Sequence, residues 1–425
     1  MTDQTGPRQL SARDVLRIPD FRRLWLGQLV SEAGDGLTNL ALLVLVNALT
    51  GSTAALAAMA IVLAIPPLTI GLVAGAYVDR ADRRRIMLAS DLLRAGTVLG
   101  FIVVGSADLL WLLFILAFAQ ATVGTFFTPA RGALIPRVVP REGLLAANSV
   151  AQATRVVSSI AGAGIGGLII GLAGVFWPAF VLDALSFLVS FALIVRLPAA
   201  IGHVAAAAPG SAATGLFSSL GQGLRTVANS RRLSTTILSL AVCMLGLGAV
   251  NVLFVPLLVG VLAVGPAWFG PVELAQSASM ILAAGLIGAL ASRFRASSIV
   301  TVGLVGVAIV IALTGGVTAI WQVLVLMFLA GWFVAPLQAA VVTILQQSVP
   351  DAERGRIMSV LNAAMSASSV LSMAFAGIAG DALGVRNVFF IAGAIVGVGA
   401  VVSLFGYWRS NPRPVAQPMI GVTAD

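Results

Sequence analysis

Lysine is absent from this 425-residue chain, so all 25 basic residues are arginine. That excludes a Walker A phosphate loop, a Schiff-base enzyme and a P-type ATPase phosphorylation motif, each of which needs a lysine amine. A single histidine, His203, and a single cysteine, Cys243, leave no material for a haem pair, a zinc cluster, a Cys–His dyad or a disulfide. Charge is scarce too: 10% of residues are charged and 59% apolar, against about 25% and about 45–50% in soluble domains. With a mean hydropathy of +1.04, a water-soluble fold could not cover its own surface. The chain reads as an integral membrane protein without cofactor or metal, and not as an enzyme. Its work falls to shape, glycine, arginine and a few carboxylates.

What is present is arginine in small groups between long apolar runs. The formal charge of +9 therefore does not point to nucleic acid. Twelve runs reach the roughly 20 residues that span a bilayer, at about 24–49, 53–78, 86–105, 109–130, 146–172, 177–196, 233–262, 271–292, 298–315, 319–345, 357–380 and 387–408. The arginine-rich first 20 residues and the length of the first run do not read as a cleavable signal. Twenty-two of the 25 arginines fall on one side of the alternating spans, Arg386 on the other, and Arg94 and Arg155 inside spans. The positive-inside bias then makes both termini cytoplasmic.

Residues 197–232 break the pattern with an Ala-Pro-Gly-Ser stretch and an amphipathic segment from Leu216 to Val227. This is a linker between two six-span halves, 24–196 and 233–408, flanked by tails 1–23 and 409–425. The halves share landmarks: Pro129 and Pro140 find Pro336 and Pro350 at offsets of 207 and 210, and Gly75 and Arg80 find Gly288 and Arg293 at 213. A near-constant shift is what a duplicated six-helix unit leaves.

The segment Gly75-Ala76-Tyr77-Val78-Asp79-Arg80-Ala81-Asp82-Arg83-Arg84-Arg85 resembles the loop 2–3 signature of the major facilitator superfamily, with Asp82 where that family usually has glycine. Gly27 to Asp35, Pro129-Ala130-Arg131, Ala147-Asn148, Leu182 to Phe187 and Arg354-Gly355-Arg356 are similar to the branch of macrolide, multidrug and siderophore exporters. The resemblance implies an all-α fold of twelve spans in two pseudo-symmetric bundles that rock about a central site. It also implies a cytoplasmic latch between the bundles, formed by Gly75, Asp79, Arg80, Arg83 and Arg84, which Arg354 and Arg356 join. Gly162-Ala163-Gly164-Ile165-Gly166-Gly167 resembles the antiporter signature of span five, with Ala163 in place of proline. Its stripes, Gly162 with Gly166 and Gly167 with Gly171, let another helix approach closely.

Charges inside spans are expensive and therefore informative. Glu32, Asp35 and Asn39 lie three and four apart, on one face of span one. Asp35 and Arg155 fall at similar depth, roughly 16 and 13 Å from the starts of their spans. Two carboxylates beside an arginine are driven to different proton affinities, so Glu32, Asp35 and Arg155 form the candidate proton site, with Asp35 paired to Arg155 or to polar neighbours. Arg94 is expected nearer the surface, paired with Asp91 and joined by Asp183. Asn39, Phe126, Phe127, Asn251, Phe254, Trp332, Phe333, Gln338 and Asn362 are candidates for a partly apolar cavity. The expected function is proton-driven export of a hydrophobic or amphipathic small molecule by a monomer among membrane lipids. A proton-coupled uptake symporter or a lipid flippase is the alternative within transport. A membrane-embedded enzyme or receptor is disfavoured, because no catalytic constellation or sensory domain is in the sequence.

Overall fold

Proline and glycine set the helix boundaries. The computed structural model describes residues 10–202, 214–349 and 351–410, so His203 lies outside the described residues. The helix α1 (Ala12–Arg17) is held by a reciprocal capping box between Ser11 and Asp14. The first span, α2 (Pro19–Thr50), opens on a proline and stops at Gly51, whose φ of 60° suits a residue without Cβ. Ser52 turns the chain and caps α3 (Thr53–Thr69) through the Ala55 amide. Pro66 and Pro67 cannot donate to the preceding turn. Span two accordingly breaks at Ile70 and resumes as α4 (Gly71–Val78).

The other spans of the first half are α5 (Arg83–Gly100), α6 (Leu110–Val138), α7 (Leu144–Ala173) and α8 (Trp177–Val195). Next come α9 (Thr214–Asn229), which packs on a later span, and α10 (Arg231–Val255), which runs into a π-helical turn beginning at Pro256. They are followed by α11 (Phe269–Arg293), α12 (Ala296–Thr314), α13 (Ile320–Ser348), α14 (Asp351–Leu383) and α15 (Val385–Ser410). Among the described residues, ten helices are long and apolar enough to cross a membrane. With α11, and with α3 continued by α4, the spans number twelve.

Span four departs from expectation. The sequence ends it near residue 130, yet α6 continues through Pro129 and Pro136 to Val138. Arg131 is thus a helix residue with a buried side chain and not part of a loop.

The helices sort into two groups. α2 packs on α7 and α8, and α5 on α6 and α8; α10 packs on α14 and α15, and α12 on α13 and α15. Between the groups, α3 lies along α14 and α7 along α11. These contacts concentrate away from the arginine-rich loops. One apolar cluster there joins both groups, with Leu37, Leu45 and Leu56 continuous with Leu253, Val255 and Ala376. A second cluster, around Phe21, Leu24, Val78, Met87 and Leu134, draws only on the first group and lies near the basic end. The groups meet at the end opposite the arginines and part toward the basic end.

Candidate functional site: a carboxylate–arginine cavity

Small residues on α2 let its neighbours come close enough to bring charges together. A Cβ at Gly34 would collide with the Asp183 carboxylate and the Ser186 hydroxyl of α8. Trp25 Nε1 donates to Thr154 Oγ1 at 2.7 Å, and Ser158 Oγ donates to the Leu29 carbonyl at 3.0 Å, which fastens α7 to α2.

Held this way, the polar face of α2 meets two arginines. Asp35 pairs with Arg94 of α5, and Glu32 pairs with Arg131 of α6 at 2.5 Å. Arg131 also donates to Gln28 Oε1 at 2.9 Å. Arg94 lies over the Phe187 ring, 4.2 Å from its centroid, a cation–π contact in a dry setting. Asp91 and Asp183, both fully buried, lie within the electrostatic reach of Arg94. The Ser186 hydroxyl donates to Asp183 at 3.1 Å. One guanidinium therefore faces three carboxylates from α2, α5 and α8.

The pairing corrects the sequence reading. Asp35 takes Arg94 and not Arg155, because Arg94 lies about 16 Å into α5, deep enough to meet α2 well inside the membrane. Arg155 stands exposed in a recess of about 300 Å³ that Glu32, Asp35, Asn39, Phe127, Arg131 and Ser159 also line. The recess is continuous, through Asp35, Asn39, Arg94 and Thr128, with a larger cavity of about 630 Å³ walled by Leu63, Pro67, Gly71, Gln120 and Pro129. The break at Pro66-Pro67 thus shapes the cavity wall.

The other aromatic and amide candidates scatter. Phe126 packs edge-on against Tyr77 at 6.0 Å and Phe254 against Phe269 at 6.2 Å. Trp332 and Phe333 line a separate apolar groove of about 260 Å³ between α12 and α13. Asn251, Gln338 and Asn362 are exposed.

The glycine stripes of α7 divide their labour. Gly162 and Gly166 press on α2, where a Cβ at Gly162 would strike the Ala33 carbonyl. Gly164 faces Gly270 at the start of α11, while a Cβ at Gly167 would strike the Pro266 carbonyl of the other group. One stripe builds a bundle and the other is a seam between the two groups.

The same end is closed by a carboxylate that the sequence reading passed over. Asp381, near the end of α14, accepts from the Thr53 amide at 2.7 Å, the Thr53 and Ser52 hydroxyls at 2.8 Å and the Ala54 amide at 3.2 Å. It caps the start of α3 from the opposite group. The available signal was an acid beside the last turn of a span, on the same side as the Thr50-Gly51-Ser52 hairpin. Glu273 of α11, half-buried, is a second intramembrane acid missed because no arginine neighbours it in sequence.

At the basic end the contacts described for the signature segment lie within the first group. Asp79 and Arg80 are exposed, and nothing lies within 4 Å of a Cβ built on Gly75. Arg83 donates to the Ala133 carbonyl at 3.4 Å, and Arg84 to the Val195 carbonyl at 2.7 Å, both within the first group. Arg354 donates to the Gln346 carbonyl at 3.0 Å, and Arg356 is exposed.

Two helix groups that meet at one end and part toward the other, with a polar cavity inside the first, have the layout of an alternating-access carrier. Residues 11–411 match the family described as transmembrane secretion effector. The chain belongs to this family of the major facilitator superfamily. It is a membrane transporter and not an enzyme. It is 30% identical to the multidrug efflux pump Tap of Mycolicibacterium fortuitum over 405 residues, covering 89% of this chain and 93% of that one. It is 22% identical to macrolide efflux protein A of Streptococcus pyogenes over 388 residues, covering 88% and 93%. In fold it is similar to a bacterial homologue of the human lysosomal transporter Spinster, solved in an inward-facing, unoccupied conformation. The TM-score is 0.72 at 14% identity, covering 93% of this chain and 98% of that one.

Proposed function

We propose that this transporter exports a hydrophobic or amphipathic small molecule across the bacterial cytoplasmic membrane in exchange for protons. The observation that carries the reading is the pair of carboxylate–arginine contacts, Asp35–Arg94 and Glu32–Arg131, bordering the polar cavity of the first group, while the two groups part toward the basic end. Kinship with the named efflux proteins supports the direction of transport. The basic end is the cytoplasmic one, as the arginine distribution favours, so this conformation loads from inside. The working unit is a monomer of two bundles, 24–196 and 233–408, joined by the linker 197–232, in contact with membrane lipids.

Coupling follows from charge balance. A lone charge in the membrane interior costs about 2.5–3.5 kcal/mol or more, so Asp35 and Arg94 stabilise each other by pairing. When the cavity opens outward, a proton on Asp35 frees Arg94 to turn to Asp91 and Asp183, which already share its field. The contact between α2 and α5 loosens, and the balance between states shifts. Glu32 and Arg131 form a second such pair one turn away. Arg155, without an acid of its own here, serves as the cavity's open cation. The Gly75–Arg84 segment closes on Arg354 and Arg356 when the outside opens.

Accumulation of a fluorescent amphiphile in cells with and without the protein tests the direction. Export predicts lower accumulation that rises on adding an uncoupler. Higher accumulation in the presence of the protein means uptake and refutes the proposal.

A further inference from the structure

The chemical class of the substrate can be argued from which charges in the cavity are already satisfied. The acids on α2 resemble handles for a cationic drug, but each is closed by its own arginine: Asp35 by Arg94 and Glu32 by Arg131. Arg94 and Arg131 are buried in those contacts. Arg155 is different. It is exposed, it lines the recess, and no side chain among the described residues pairs with it. A guanidinium stays charged, so the recess presents one cation to which no acid is paired among the described residues. Its planar fork of donors matches a carboxylate, sulfonate or phosphate. Ser31, Asn39, Thr128 and Ser159 share the lining and add neutral hydrogen-bonding groups. The adjoining cavity is walled by Leu63, Pro67, Ala121, Gly124 and Pro129 and is large enough for an apolar body.

We propose that Arg155 is the anchor for an acidic head group, and that the substrates are amphiphilic organic anions. The head group sits in the smaller recess, and the apolar body lies against the broken span two. This deepens the export reading by naming its substrate class, but the binding claim does not depend on the direction of transport.

The test is equilibrium binding of two probes that differ only at the head, dansylated undecanoic acid and its methyl ester. The protein is the full chain in nanodiscs of zwitterionic lipid, and dansyl fluorescence gives Kd. One charge-assisted contact in a shielded site corresponds to about tenfold tighter binding of the acid than of the ester. Arg155→Gln is expected to abolish that preference while the ester still binds, which also reports an intact cavity. Arg155→Lys, which keeps the charge and loses the fork, is expected to retain part of it. Equal affinity for acid and ester in the native chain, no saturable binding of the acid, or a preference that survives Arg155→Gln would overturn the proposal. Failure of the export reading would show differently: the acid would bind with the expected preference, yet cells would not lower its accumulation.

Discussion

Replacing Asp381 by alanine should open the end of the transporter opposite the arginines. The carboxylate accepts from two backbone amides and two hydroxyls at the start of α3, at 2.7–3.2 Å. Removing an N-cap side chain costs about 0.5–2 kcal/mol, and the favourable charge at a helix N-terminus adds about 0.3–1 kcal/mol. Asp381 is exposed, so neither figure should be taken at its upper limit. A loss of about 2 kcal/mol corresponds to a factor of roughly thirty in an equilibrium constant. If the open form is about 1% populated in the native chain, it rises to about 20% in the variant. Because the bond runs between helix groups and not within one, the loss falls on this conformation and leaves each group intact.

Spin labels at Ser106 and Thr318, both exposed on loops at that end of the molecule, report the change as a distance distribution in a Cys243→Ala background. Asp381→Ala should add a longer-distance population, and Asp381→Asn a smaller one, since an amide oxygen still accepts from an amide. An unchanged distribution in Asp381→Ala would show that apolar packing between α3 and α14 closes this end alone, and that the cap is incidental.

Four further outcomes follow from the same geometry. Gly162→Ala drives a methyl into the Ala33 carbonyl within one helix group and should lower thermal stability in detergent, whereas Gly167→Ala drives one into Pro266 across the seam and should instead lengthen the Ser106–Thr318 distance. Arg94→Leu strands Asp35, Asp91 and Asp183 and should cost about 3–5 kcal/mol, read as a fall in Tm that Asp35→Asn partly restores. Asp79→Asn should slow transport at normal expression by weakening closure of the basic end; normal turnover would reduce that segment to a topology signal. In proteoliposomes with an imposed pH gradient, Glu32→Gln combined with Asp35→Asn should abolish concentrative transport, and persistence of uphill transport would move the coupling site to Asp91 and Asp183.

The sequence discloses elements better than partners. The spans and the polar face of Glu32, Asp35 and Asn39 follow from one-dimensional patterns, apolar length and helical spacing. The partners of those acids do not, because pairing depends on where three other helices end. Arg131 looked like a loop residue because hydropathy falls at Pro129, while the backbone simply continues through both prolines to Val138. Arg94 looked shallow because α5 starts at Arg83, earlier than its apolar run suggests. Arg155 was at a plausible depth and lines the same recess as Asp35, but the Asp35 carboxylate is already paired with Arg94. Asp381 has no intramembrane neighbour of opposite charge, and its partners are backbone amides that carry no signature in sequence.

Asp381 also bears on how the two helix groups move against each other. Span two and α14 lie side by side, and each carries an acid at the end where it leaves the membrane: Asp79 just past α4 and Asp381 near the end of α14. Because the two helices run in opposite directions, each acid lies at the end where the other helix begins. A helix start offers unpaired amides and a positive dipole end, so the same kind of bond is available at both ends of one helix pair. In this conformation the Asp381 bond is made and Asp79 is exposed. On the alternating-access reading proposed above, rocking of the two groups would separate one end as it brings the other together, so making a bond at Asp79 would require giving up the bond at Asp381. Two bonds of similar chemistry that exclude each other keep the two states close in energy. On the proposed coupling, a proton or substrate acting on Asp35 would then need only a few kcal/mol to choose between them.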